Sequence, residues 1–233
     1  WVATVVLQSN EQYSNEERMN VLSKVVDSIL DKCSGDGVIL FPGGMFSTGE
    51  NEARTHYNKL EEAVGKTERN IVVCAGIDGS VDKEGYSHDQ IGIAVSKNGI
   101  EAIGRKFYPA PQEKDLVKLA ENYLSNEEGK SRIFELNGVK YFMCVCYDTY
   151  GVRHKELSNS EGVDVVLNLV HCFYPKGEGP SGDPYFARHG FAGASKQWKC
   201  PVFGTAVFFN RAIPERWPTG VIWNQGDKST QKW

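Results

Sequence analysis

The chain has 233 residues, 40% of them hydrophobic and 24% charged, with a formal net charge of -4 at pH 7. The hydrophobic share is too high for a disordered chain, and the length suits one sizeable core, a single α/β domain over 1–233. The mildly acidic balance gives no basic footprint for nucleic acid or a membrane surface, and the longest apolar run, 163–170, is too short to span a bilayer.

Apolar runs and helical repeats alternate along the chain, the pattern of an α/β fold. "VATVVLQ" (2–8) predicts a buried strand. Ser14 and Glu17 follow at capping-box spacing, and Met19, Leu22, Val26 and Ile29 then recur at helical intervals. Gly35 and Gly37 end that helix, and "VILF" (38–41) is the next strand. Ala53, Tyr57, Leu60 and Val64 mark a second helix, and "NIVVCAG" (70–76) a third strand. Two hairpins follow at 90–105 and 131–145, turning at Asn98-Gly99 and Asn137-Gly138. Between them "APQEKDLVKLAENYL" (110–124) predicts a helix with Pro111 near its start. A short helix is expected near 153–160. "VDVVLNLVH" (163–171) is apolar on both faces, as a strand covered on both sides should be. The Gly/Pro-rich stretch 174–184 is long enough for a lid or binding loop. A helix at about 185–197 and strands at 200–210 and 220–225 complete the pattern.

Six cysteines, at 33, 74, 144, 146, 172 and 200, are scattered through strand-like runs. A domain of this size needs no disulfide staples, so reduced thiols in a cytoplasmic protein are expected. The opening "WVATVVLQSN" lacks the basic segment of a signal peptide. No C-x-x-C occurs and no histidine pair lies at zinc spacing, so no metal site is expected.

Three stretches carry chemistry. In "YFMCVCYDTYG" (141–151) the polar residues after Cys146 place that thiol at a strand's end, whereas Cys144 lies inside the strand. A strand end gives a thiolate access and nearby backbone N–H donors for an oxyanion. In "GRKFYPAP" (104–111) Lys106 stands at another strand exit, where an ammonium can hold a substrate carbonyl. In "FPGGMFSTGEN" (41–51) Gly44 and Gly49 have the spacing of a phosphate loop, but Glu50 and Asn51 stand where lysine and Ser/Thr are needed. Nucleotide binding is rejected on that ground.

Together these ordered exits, with "GVDVVLNLVH" and "FARHGFAGASKQWKCPVFGTAVFFNR", resemble the nitrilase superfamily of carbon–nitrogen hydrolases from Val2 to about Gln225. The resemblance implies a four-layer αββα sandwich, commonly assembled as a homodimer or higher oligomer, acting on a small-molecule amide, less readily a nitrile, without a cofactor. It implies a Glu–Lys–Cys site in which Cys146 is the nucleophile, Lys106 stabilises the tetrahedral intermediate and the Tyr147 amide shares the oxyanion. The family's glutamate normally follows the proline directly, whereas this chain has Gly43 there. Glu50, reaching back from its loop, and Glu113, seven residues after Lys106, are the candidate replacements. The alternative is a protein of this fold that binds a small molecule or a protein partner without turnover. A papain-like reading would need His171 as partner to the thiol. Asn168, His171 and Tyr174, at or just beyond the end of the 163–171 strand, are expected to contact substrate or, for Asn168, to satisfy backbone groups. Asp148 is expected to order the turn after Cys146 through backbone hydrogen bonds.

Overall fold

A computed structural model describes residues 1–48, 53–79, 89–175, 185–215, 217–224 and 229–232. Glu50 and most of the 174–184 loop lie outside the described residues.

The architecture is the expected αββα sandwich, assembled from two sheets and four helices. The first sheet contains β1 (Val2–Thr4), β3 (Gly37–Leu40), β4 (Phe46–Thr48), β5 (Ile71–Gly79), β6 (Gln90–Ser96) and β7 (Gly99–Arg105). The second contains β2 (Val6–Ser9), β8 (Ile133–Leu136), β9 (Val139–Val145), β10 (Val165–Phe173), β11 (Val202–Phe209), β12 (Gly220–Asn224) and β13 (Ser229–Lys232). Helices α1 (Asn15–Lys32) and α2 (Ala53–Val64) cover the first sheet, and α3 (Asp148–His154) and α4 (Tyr185–Trp198) cover the second.

Three apolar clusters fill the spaces between the four layers. Leu22, Val26, Leu60 and Val64 of α1 and α2 pack on Ile39, Val73 and Ile93. Between the sheets, Val38, Leu40, Val72 and Ala94 meet Met143, Leu167 and Leu169. Phe191, Ala194 and Trp198 of α4 pack on Phe142, Val166 and Val202. Strands β3 and β10 each feed two of these clusters, so both of their faces are apolar.

Local chemistry explains the elements. Ser14 caps α1: its Oγ accepts from Glu17 N while the Glu17 carboxylate accepts from Ser14 N. Asn137 and Gly138 both have positive φ, 52° and 76°, which suits the tight turn between β8 and β9.

Four expectations need correction. The strand expected over 2–8 is two strands: β1 pairs with β3 in one sheet and β2 with β11 in the other, and the chain crosses between sheets at Val5. The β6–β7 turn sits one residue earlier than expected, at Lys97-Asn98, with Ser96 paired to Gly99. The 110–124 helix is a single 3-10 turn, Pro111–Glu113. Glu113 folds back onto Ala110 N, Asp115 takes φ 67°, and Ala120 N donates to Lys106 O, so side-chain and backbone bonds to the Lys106 region replace a helical ladder. The short helix expected near 153–160 is α3, which begins immediately after the Cys146 turn.

Candidate active site

Cys146 leaves β9 with φ 53°, in the left-handed region that a non-glycine residue occupies only at a cost of about 1–3 kcal/mol. The surrounding bonds hold it there. Its N–H donates to Leu169 O at 2.8 Å, and its carbonyl accepts from Asn168 Nδ2 at 2.9 Å. The same amide nitrogen reaches Thr149 Oγ1 at 2.9 Å. Asn168 is fully buried, and through Nδ2 it holds the Cys146 turn by satisfying the backbone, while its Oδ1 has no hydrogen-bond partner.

This one left-handed residue separates the two cysteines chemically. Burial pushes the Cys144 thiol well above the ordinary range, with Asp148 adding to the shift. Burial also opposes ionisation of Cys146, but the Lys106 ammonium and the His171 ring outweigh it and bring that thiol below its ordinary value.

Lys106, at the exit of β7, has no solvent exposure. Its Nζ donates to Gln90 Oε1 at 2.8 Å and to Glu113 Oε2. Glu113 Oε2 also accepts from Ala110 N at 2.7 Å, and Oε1 from Gln90 Nε2 at 3.0 Å. Burial alone would raise the Glu113 carboxyl, but Lys106 and these donors hold it below the usual carboxylate range. Glu113 is therefore an ionised anchor for the lysine, with both oxygens engaged.

Asp148 has the turn-ordering role expected of it, and it also joins the two sheets. One oxygen accepts from Phe107 N and Tyr108 N, both at 2.9 Å, just beyond β7. The other accepts from Val145 N at 2.9 Å, at the end of β9. These bonds fix the lysine exit of one sheet against the cysteine exit of the other.

His171 lies on β10 beside the thiol. Its Nε2 pairs with Asp78 Oδ1 at 3.0 Å, which leaves Nδ1 buried and without a hydrogen-bond partner. Burial would lower the imidazole, but Asp78 and the Cys146 sulfur outweigh it and raise the pKa to about 10. The ring also packs on Gly43: a Cβ there would fall 2.8 Å from His171 Nδ1 and 2.7 Å from Leu169 O.

Tyr147 opens α3 with helical φ -70°, and its ring stacks on Tyr108 at 6.2 Å. Tyr174 stands with Phe209 at 5.5 Å, and its carbonyl accepts from Arg211 Nη1. Sequence reasoning missed Asp78, Gln90 and Arg132. The apolar pattern marks the third strand only as far as 76, whereas β5 continues to Gly79 and carries Asp78 to the site. Among the described residues no cluster of three or more His, Cys, Asp or Glu could hold a metal, and no helix is long and apolar enough to cross a membrane.

No family model and no curated protein matches the chain in sequence. Solved structures do match it. A cysteine-to-serine mutant of the Nesterenkonia AN1 amidase from the nitrilase superfamily aligns with a TM-score of 0.63 at 10% identity, covering 88% of this chain and 75% of that one. A variant of the same amidase carrying the acetamide moiety of fluoroacetamide on its active-site cysteine aligns at 0.61 and 10% identity, over 88% and 74%. The glutamine-dependent NAD+ synthetase from Acinetobacter baumannii aligns at 0.58 and 14% identity, over 88% of this chain and 38% of that one. The chain thus has the fold of nitrilase-superfamily amidases, with a lysine, a glutamate and a cysteine gathered where two strands end.

Proposed function

We propose that the protein is an amidase-type carbon–nitrogen hydrolase with Cys146 as nucleophile, acting on a small-molecule amide without a cofactor. The observation that carries this reading is Cys146 itself: a thiol with lowered pKa at a left-handed strand exit, close enough to Lys106 and His171 for both to favour its thiolate. The Cys146 thiolate attacks the amide carbon. Lys106, with the Tyr147 N–H, stabilises the oxyanion. Collapse expels the amine and leaves a thioester, which water then hydrolyses. Glu113 and Gln90 keep the lysine aimed, since each bonds its Nζ. Tyr174 borders the substrate side, and assembly of the chain as a homodimer or higher oligomer is part of the same reading.

The test is incubation with a panel of short aliphatic and aromatic amides, followed by ammonia release and intact mass. Wild type should release ammonia from at least one amide, and Cys146→Ala should release none. Full turnover by Cys146→Ala would end the proposal.

A further inference from the structure

The geometry points to His171, held by Asp78, as the group that moves protons for Cys146 in this chain. This rests on the thiol-hydrolase reading above and names its base. Nucleophilic thiols are served by an adjacent base that a third group orients. Three observations place His171 in that position. First, Nε2 is taken by Asp78 Oδ1 at 3.0 Å, which fixes the ring and leaves Nδ1 as its free nitrogen, on a ring that acts on the Cys146 sulfur. Second, Nδ1 is buried with no hydrogen-bond partner, an arrangement that costs stability unless the thiol comes to use it. Third, the ring has room only because position 43 is glycine: an added Cβ would lie 2.8 Å from Nδ1 and 2.9 Å from Cε1. The space that a side chain at 43 would enter is therefore filled by an imidazole.

Glu113, a carboxylate that acts on the Cys146 sulfur, has both oxygens bonded, to Lys106, Ala110 N and Gln90. It is poorly placed to accept a further proton. Among the described residues, the charged and titratable groups acting on the Cys146–His171 pair are Asp78 on β5, Lys106 beyond β7, and Glu113 in the turn after it. The Tyr147 phenol lies near the sulfur and the Tyr174 phenol near Asp78.

The proton balance closes. At rest the pair is Cys146 thiolate and His171 imidazolium. The sulfur's electron pair forms the C–S bond while the carbonyl π pair moves to oxygen. As that pair returns, the C–N bond breaks and the departing nitrogen takes the proton from His171. Acylation removes the thiolate charge that helped hold this proton, so its release is favoured at that moment. Neutral His171 next takes a proton from water as the water oxygen attacks the thioester. Collapse restores the thiolate and the imidazolium, and the net reaction is amide plus water to acid plus amine. Asp78 is a positioning residue, acting through the imidazole.

The experiment is alkylation of the whole chain by iodoacetamide as a function of pH, with peptide mapping, on wild type, His171→Gln, His171→Asn and Asp78→Asn. Thermal melts confirm that each variant folds, and the two histidine variants guard against the failure of one. Wild-type Cys146 should react with an inflection well below the roughly 8.5 of a free thiol. Either histidine variant should move the inflection upward and slow alkylation at pH 6 by at least about tenfold. Asp78→Asn should shift it part of the way, which a merely structural carboxylate would not do. An unmoved low inflection in both histidine variants would overturn the role of His171 and leave the thiol-hydrolase reading standing. An ordinary inflection in the wild type would overturn both.

Discussion

The Asp148 carboxylate lies 3.3 Å from the Arg132 guanidinium, and neither side chain reaches solvent. Arg132 in turn donates to Arg105 O, the last residue of β7, and lies with its guanidinium carbon 4.8 Å from the centre of the Phe107 ring. This buried pair joins the strand ends that deliver Lys106 and Cys146. Removing one member of a buried pair leaves its partner uncompensated, at a cost of about 3–5 kcal/mol. Asp148→Ala also orphans the amides of Phe107, Tyr108 and Val145. Its melting temperature should fall by roughly 6–20 °C, read by circular dichroism. A variant melting within a degree or two of wild type would show that the sheets are held by other contacts.

Lys106 is the leading influence that lowers the Cys146 thiol, and in the proposed reaction it is the side chain that stabilises the oxyanion. Lys106→Met should therefore do two separable things. The inflection of Cys146 alkylation should rise, and amide turnover should fall by about 100- to 1,000-fold. Glu113→Gln separates the roles: Glu113 opposes the Cys146 thiolate, so this variant should not raise the inflection, while turnover drops as Lys106 loses its anchor. A large upward shift in Glu113→Gln would assign the carboxylate a more direct part in activating the thiol.

The strand-exit positions of Cys146 and Lys106 were legible in the sequence because each stands where an apolar run turns polar, a signal that survives without knowledge of strand pairing. The capping box of α1 and the Asn137-Gly138 turn were legible for the same reason: their chemistry is local. What escaped were features set by distant partners. Whether β1 and β2 form one strand or two depends on their neighbours in different sheets. The failed helix after Pro111 has helical spacing, yet its Glu113 is drawn off to a lysine seven residues earlier and its Leu116 and Leu119 stay exposed. Asp78 meets His171 across 93 residues, a pairing that no local pattern encodes.

Acid should weaken the fold through carboxylates that are ionised more readily folded than unfolded. Glu127 is held below its ordinary value first by its hydrogen bonds from Arg105, and Glu113 is lowered by Lys106 against the opposing effect of burial. A depressed carboxylate stabilises fully above its unfolded pKa, near 4.3, and that stability disappears as pH falls through the folded value. The melting temperature should hold between about pH 5 and 6 and decline below about 4.3. Glu127→Gln should start lower at neutral pH and decline less steeply. Equal slopes for the two proteins would mean that Glu127 does not report on acid unfolding.

Gly43 gives the most demanding prediction, because its neighbours bear on Cys146 from two sides. A methyl group there would meet His171 Nδ1 at 2.8 Å and Leu169 O at 2.7 Å. Leu169 O is the acceptor that holds the Cys146 N–H at 2.8 Å. Gly76 packs directly behind on the Gly43 and Gly44 backbone, so the turn has little room to retreat. Overpacking of this kind costs about 1–3 kcal/mol, which a thermal melt would detect. Gly43→Ala should also displace the imidazole or the carbonyl, so the alkylation inflection of Cys146 should rise while Cys144, buried inside β9, stays unreactive. Should Gly43→Ala melt normally and keep the wild-type inflection, the close approach of His171 to this turn would be refuted.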